Sequence, residues 1–416
     1  MASASPNGAT AAAAGPRGPL EGLRVLDLTR GAAGPHCTKL LALYGATVIK
    51  VERPRTGDLM RHAGPFVGDT PGIDRSLAFL DLNVNKLGIT LNLACESGRA
   101  IALELVRRAD VVVESFRPGT LARLGLDYAA LCAVKPDVVL ASISNFGQTG
   151  PYRDLPASEI VLYAMGHEMY GTGQPDAEPA SMAPGVNLRF AGQTAAVATI
   201  AALLGRDAHG RGDWIDVSIM ECFAASIDRR AISLTAYDYT GEKMVRLASV
   251  QGIAIPPMFN ICGDGYFHMT VGQGTWWDGF VAALDQPFLR EPRFAPPLTD
   301  PLLREEFDAF WLPWCMARTK REIVALFQEH GLPVAPVNSI ADLASDPHLE
   351  ARDYFANLLH PVAGMARYPG PPWQMQGTPG ALWKAAPLLG EDNARIYGEL
   401  GYDREALAKL ASAGVV

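Results

Sequence analysis

Leu23-Arg24-Val25-Leu26-Asp27-Leu28, then Gly31-Ala32-Ala33-Gly34-Pro35, then Thr47-Val48-Ile49-Lys50-Val51 is the stretch on which the fold turns. The first run is short, apolar and rich in branched side chains, as a buried strand requires. The glycines that follow make a turn, and Pro35 suits the first turn of a helix because its missing N–H has no partner there. Thr38 to Leu43 continues that helix, Gly45 ends it, and Thr47 to Val51 forms a second strand. Strand, helix, strand implies a parallel pair joined by a right-handed crossover. The pattern recurs: a helix near Ser97 to Arg108 leads into Asp110-Val111-Val112-Val113, and Val138 to Ile143 is a strand of the same kind. The expected fold class is α/β, a Rossmann-like large domain with a parallel sheet, which takes ligands at the carboxyl ends of its strands.

Working outward, 416 residues exceed what one core usually serves, so two domains are expected. Residues 1–18 read as a disordered leader, 19–225 as the large domain, 245–330 as a smaller α/β domain, and 331–416 as a linker and tail returning to the large domain. In the large domain a helix is expected over Gln193 to Leu204, a strand over Trp214 to Ser218 and a helix over Met220 to Tyr237. In the smaller one, Tyr266 to Val271 reads as a strand, and Thr275 to Leu284 and Arg321 to His330 as helices. Arg395 to Ala411 reads as one amphipathic helix.

The net charge of −8 argues against nucleic acid or an anionic membrane as partner, since both demand excess basic side chains. Six scattered cysteines without a C-x-x-C pair argue against a zinc site or a disulfide framework, and fit a reducing cytoplasm. The most apolar window, Ala191 to Leu204, is too short to span a bilayer, so a soluble chain is expected.

Chemistry is expected at the strand ends. Arg30 follows the first strand and Arg53 the second, while Arg117 and Arg123 flank Pro118-Gly119 after the third. Guanidinium groups bind phosphates, and Phe116 offers a face to a flat ring; each arginine alone reads more often as a solvated surface residue, and their recurrence at the strand ends raises the functional reading. Tyr170-Gly171-Thr172-Gly173-Gln174-Pro175-Asp176 forms a tight loop that presents one carboxylate. That carboxylate could attack an activated carbonyl, or simply stabilise the turn. Glu159 and Glu168 are further acidic candidates that nothing local distinguishes.

Six blocks in order resemble one family. Gly22 to Thr29 with Ala33-Gly34-Pro35 matches its opening, Gly45 to Glu52 its second strand, and Val113-Glu114-Ser115-Phe116-Arg117-Pro118-Gly119 its third. Gly147-Gln148-Thr149-Gly150-Pro151-Tyr152, Gly331 to Asn338 with Asp346-Pro347, and Pro387-Leu388-Leu389-Gly390-Glu391 complete the set. In these blocks the chain resembles the class III CoA-transferases, the CaiB/BaiF family, which includes formyl-CoA transferase and carnitine CoA-transferase.

The resemblance implies an enzyme that moves coenzyme A from an acyl-CoA donor to a carboxylic acid, with no permanently bound cofactor and no metal. Asp176 falls where the family keeps its nucleophilic aspartate. Ala33, Arg53, Leu91, Phe116 and Arg123 match its CoA site, Arg123 toward the phosphates and Phe116 toward the adenosine end. An interlocked homodimer is implied as well, with a heteromer of related subunits as the other arrangement.

The chain also departs from the pattern. Ser115 stands where many members have Asn, and Asn145 where some have Lys. Ile253 to Phe259 is apolar and proline-containing where formyl-CoA transferase carries a glycine-rich flap, which implies a roomier or more apolar acyl site. Two other functions share the fold. A 2-methylacyl-CoA racemase needs a His-Asp pair and a second Asp to move a proton, and Ser158-Glu159 and Leu188 occupy those places. A non-catalytic CoA-binding subunit would not need the loop carboxylate. Trp276, Trp277 and Tyr163 could line an acyl pocket or fill the core.

Overall fold

The computed structural model describes residues 18–173, 177–225, 230–243, 256–271, 275–294 and 301–416. They group into two compact units. One holds residues up to Tyr170 with Ala180–Lys243 and Asp353–Val416; the other holds residues within Gly171–Pro179 and Met244–Arg352.

The larger unit begins with β1 (Arg24–Asp27), α1 (Ala33–Leu43), β2 (Thr47–Glu52), α2 (Leu77–Leu82), β3 (Leu87–Thr90) and α3 (Glu96–Arg107). It continues with β4 (Val111–Glu114), α4 (Thr120–Arg123), α5 (Tyr128–Val134), β5 (Val139–Ser144) and α6 (Glu159–Met165). Next come α7 (Val186–His209), β6 (Trp214–Ser218), α8 (Ile219–Ala224) and α9 (Arg230–Thr240). The six strands form one parallel sheet in the order β3-β2-β1-β4-β5-β6. Successive strand residues face opposite sides, and both sides are dry. Val25, Val48, Val111 and Val139 pack with Cys37 and Ala195 on one face. Leu26, Ile49, Val112 and Leu140 pack with Ile101 and Leu105 on the other.

β3 has no counterpart in the sequence reading. Gly88 in its middle masks the strand pattern, and its purpose is contact: a Cβ there would lie 2.8 Å from the Pro387 ring. The chain's last segment covers this sheet edge. Gly88 N–H donates to Asp392 Oδ2 at 2.8 Å, and Thr90 N–H donates to Asn393 Oδ1 at 2.9 Å.

α7 is longer at both ends than the expected 193–204. Its 24 residues run between Gly185 (φ 86°) and Gly210 (φ 71°), left-handed positions that open and close it. Its length and composition would suffice to cross a membrane, so the exclusion by length does not hold. What characterises it is packing against α1 through buried Ala191, Gly192, Ala195 and Thr199. A Cβ on Gly192 would lie 2.3 Å from the Ala33 carbonyl oxygen, so only glycine lets the two helices come this close.

The smaller unit contains β7 (Phe259–Cys262), β8 (Gly265–Met269), α10 (Thr275–Leu284), α11 (Pro301–Met316), α12 (Lys320–Glu329), β9 (Val334–Pro336), α13 (Ile340–Ala344) and α14 (Pro347–Ala351). β7, β8 and β9 form an antiparallel sheet over an aromatic core that includes Phe267, Phe280, Phe307, Trp311 and Phe327. β9 pairs with β8, which carries this unit past residue 330 to Arg352. In the larger unit, β10 (Phe355–His360) and β11 (Gly364–Pro369) form a hairpin, followed by α15 (Asn393–Glu399) and α16 (Arg404–Ser412). The single helix expected at 395–411 is thus two. Gly401 at φ 94° turns the chain, and Asp403 caps the new helix by accepting from Ala406 N–H at 2.8 Å.

Candidate active site

β1 is the point where the strand order reverses, with β2 on one side and β4 on the other. Such a switch point leaves a crevice beyond the strand ends, because the crossovers depart to opposite faces. A cavity of about 220 Å³ opens there. Leu28, Thr29 and Arg30 after β1, Glu52 and Arg53 at the end of β2, Leu91 to Ala94 after β3, and Phe116 and Thr120 after β4 line it.

Of the residues carried by the resemblance, Arg53, Leu91 and Phe116 therefore share one cavity. Arg123 lies beside it on α4, exposed, donating from Nη2 to the hydroxyl of the lining Thr120 at 2.8 Å. Ala33 does not line the cavity; it starts α1 and is buried against α7. Asp176 lies outside the described residues, as do residues 253–255 of the segment expected to replace the flap. Asn145 anchors its own loop, its carbonyl accepting from Met220 N–H at 3.0 Å. Tyr163 and Trp277 are core residues, buried to 1% and 8% exposure, whereas Trp276 is exposed.

The sequence did not disclose a buried charged network at these strand ends, of which Glu52 and Asp58 line the cavity. Asp27 Oδ2 accepts from Lys86 Nζ at 3.0 Å and from the Thr38 hydroxyl at 2.6 Å. Asp58 meets Lys50 Nζ at 2.9 Å through Oδ2, and its Oδ1 accepts from Gly31 N–H at 3.3 Å. Glu52 holds Arg61 with two hydrogen bonds of 2.7 and 2.8 Å, fixing the loop after Arg53. Asp27, Lys50, Lys86, Asp58, Glu52 and Arg61 are all buried, so each needs its partners.

Burial alone would raise the Asp27 carboxyl, but Lys50, Lys86 and two threonine hydroxyls bring it down to about 2. Burial pushes Lys86 down to about 8 even with Asp27 beside it. Lys50 runs the other way: its acidic neighbours outweigh burial and hold its ammonium above the ordinary range. The network fixes the turn between β1 and α1 through the Gly31 N–H and the Thr29 carbonyl.

The β4 end is organised by three consecutive residues. Glu114 Oε2 accepts the Phe116 N–H at 2.7 Å. The Ser115 hydroxyl accepts from Arg30 N–H at 2.8 Å and donates to Arg30 C=O at 3.0 Å. The Arg30 guanidinium then lies 5.2 Å from the centre of the Phe116 ring, within cation–π range. Glu159, undistinguished in sequence, turns out to be a helix cap. It accepts from Gly185 N–H at 2.7 Å, Asn187 N–H at 3.1 Å and Leu188 N–H at 3.3 Å, at the start of α7. That occupation accounts for its carboxylate.

A parallel sheet in this order, with a cleft at its switch point and Arg30 and Arg53 in the lining, defines a doubly wound α/β protein. The comparisons with known proteins narrow this to a transferase: residues 20–393 match CoA-transferase family III, and the chain belongs to that family. It is 34% identical to a formyl-CoA:oxalate CoA-transferase of Streptomyces avermitilis, over 95% of this chain and 99% of that one. It is 32% identical to a succinyl-CoA–D-citramalate CoA-transferase of Chloroflexus aurantiacus, over 96% and 99%. The solved structure of a CaiB/BaiF family protein from Brucella suis superposes with a TM-score of 0.81, at 30% identity over 92% of this chain and 100% of that one.

Proposed function

We propose that this enzyme transfers coenzyme A between carboxylic acids through covalent intermediates on Asp176, with the cleft at the switch point holding the nucleotide end of CoA. The carboxylate of Asp176 attacks the donor thioester carbonyl, the C–S bond breaks, and an acyl-aspartyl anhydride and CoA thiolate result. The thiolate attacks the aspartyl carbonyl, expels the donor acid and leaves an aspartyl-CoA thioester. The acceptor carboxylate attacks that thioester, and the freed thiolate attacks the acceptor carbonyl, which restores Asp176. No net proton is consumed.

The observation that carries this reading is the meeting of Arg53, Leu91 and Phe116 in one cleft, from three separate strand ends. Arg123, next to the lip, suits the CoA phosphates and Phe116 the adenosine. The relatives' names, formyl-CoA with oxalate and succinyl-CoA with citramalate, support small acyl groups and carboxylic acid acceptors as the substrate class. The apolar Ile253 to Phe259 segment favours an acyl group larger or less polar than formyl.

The test is direct. Turnover with succinyl-CoA and a panel of acids, quenched with hydroxylamine or borohydride, should mark Asp176 only while acyl-CoA is present. Asp176→Ala should abolish transfer and leave CoA binding nearly intact. Normal turnover by that variant would remove Asp176 from the mechanism, and activity confined to formyl-CoA and oxalate would refute the larger acyl site.

A further inference from the structure

Backbone pairing between β1 and β4 ends early. Asp27 pairs with Val113, and Leu28 N–H donates to the Val113 carbonyl at 2.8 Å, after which the two main chains diverge. Ser115 extends the ladder with a side chain, its one hydroxyl satisfying both the N–H and the C=O of Arg30. This pair of hydrogen bonds to a single residue's backbone fixes both the position and the tilt of Arg30, which a single contact would not.

The consequence lies at the cleft. Arg30 and Phe116 both line it, and the Arg30 guanidinium faces the Phe116 ring at 5.2 Å. Glu114 holds the Phe116 backbone N–H from below, so the ring side of this pair is fixed independently of Ser115. Only the Arg30 side depends on the serine. A planar guanidinium beside an aromatic ring offers a flat, cation-edged wall, the surface on which a purine stacks. An asparagine, longer by one heavy atom and planar, would hold the Arg30 main chain at a different distance.

We propose that Ser115 is a positioning residue for CoA recognition: its hydroxyl locks Arg30 against Phe116 and so sets the wall that reads the adenosine part of the ligand. This rests on the reading that the cleft takes the nucleotide end of CoA. Ser115 touches no reacting atom, and its effect belongs to binding of one portion of the ligand.

Calorimetric titration of the full-length enzyme with two probes tests it: free coenzyme A, and 4′-phosphopantetheine, which lacks the adenosine portion. Ser115→Ala should weaken CoA binding by about tenfold, the scale of one lost hydrogen-bonded arrangement. Binding of 4′-phosphopantetheine should be unchanged, and Ser115→Thr, which keeps the hydroxyl, should restore CoA affinity. Equal weakening of both probes would mean general disruption and would overturn the inference. Phe116→Ala separates the two layers of the argument. If it weakens CoA while Ser115→Ala does not, the positioning role fails and the cleft assignment stands. If it leaves CoA affinity untouched, the cleft does not read adenosine and both fall.

Discussion

Glu114 is a carboxyl group at the end of a central strand, 4% exposed, and burial pushes its pKa up to about 7 against hydrogen bonds from Ser142 and the Phe116 N–H. Asp216 nearby adds like-charge repulsion. Between its ordinary value of 4.5 and about 7, the folded chain therefore binds a proton that the unfolded chain has released. Stability from this group is complete below the ordinary value and declines as pH rises through that window. Glu114→Gln removes the titration and keeps an oxygen for the Phe116 N–H. Urea unfolding at pH 5, 6, 7 and 8 should show the wild type losing stability relative to the variant as pH rises. Parallel profiles for the two proteins would contradict this environment. The residues of this strand end show what sequence conveys at the smallest scale. Phe116 was legible as a ring near arginines, whereas the divided labour of Glu114, Ser115 and Arg30 was not, because Arg30 lies 85 positions from Ser115.

At the scale of elements, α7 shows how a long helix is started when no residue of its own caps it. Gly185 precedes it and offers no side chain, so Glu159 supplies the acceptor for three N–H groups from another helix. A carboxylate at a helix N-terminus also gains from the helix dipole. Glu159→Ala should cost about 1–2 kcal/mol of stability, the usual range for a lost cap. Glu159→Gln, which retains an acceptor, should cost less, and equilibrium unfolding would rank the two. Equal, negligible losses would mean that water replaces the cap fully. β1, α1, β2, α3, β4, β5 and β6 were legible to within a few residues, from branched apolar runs separated by glycine turns. Gly88 hid β3 because its reason for being glycine is Pro387, some 300 positions away, and the break between α15 and α16 was hidden by an amphipathic pattern that runs through Gly401.

For the molecule as a whole, the C-terminal segment completes the large unit. Ile396 and Tyr397 are buried to 1% and 0% exposure, and the Tyr397 hydroxyl donates to the Thr90 carbonyl at 2.6 Å. Each such side chain contributes about 1.5–3 kcal/mol by leaving water, and the segment also covers an open sheet edge. Removing residues 387–416 should therefore yield a chain that aggregates and loses near-ultraviolet dichroism, with CoA binding gone; a monodisperse, CoA-binding product on size-exclusion chromatography would refute this. Order along the chain determined much: strand–helix–strand alternation dictates a parallel doubly wound sheet, since short apolar strands joined by helices can pair in few other ways. The family resemblance also named Arg53, Leu91 and Phe116 together, Arg53 and Phe116 through motifs at strand ends and Leu91 without one. Tertiary structure alone decided what the remaining groups do. Asp27 and Lys86, Ser115 and Arg30, Glu159 and the start of α7 are pairings between segments far apart in sequence, and a buried polar group takes its role from the partner that folding brings to it.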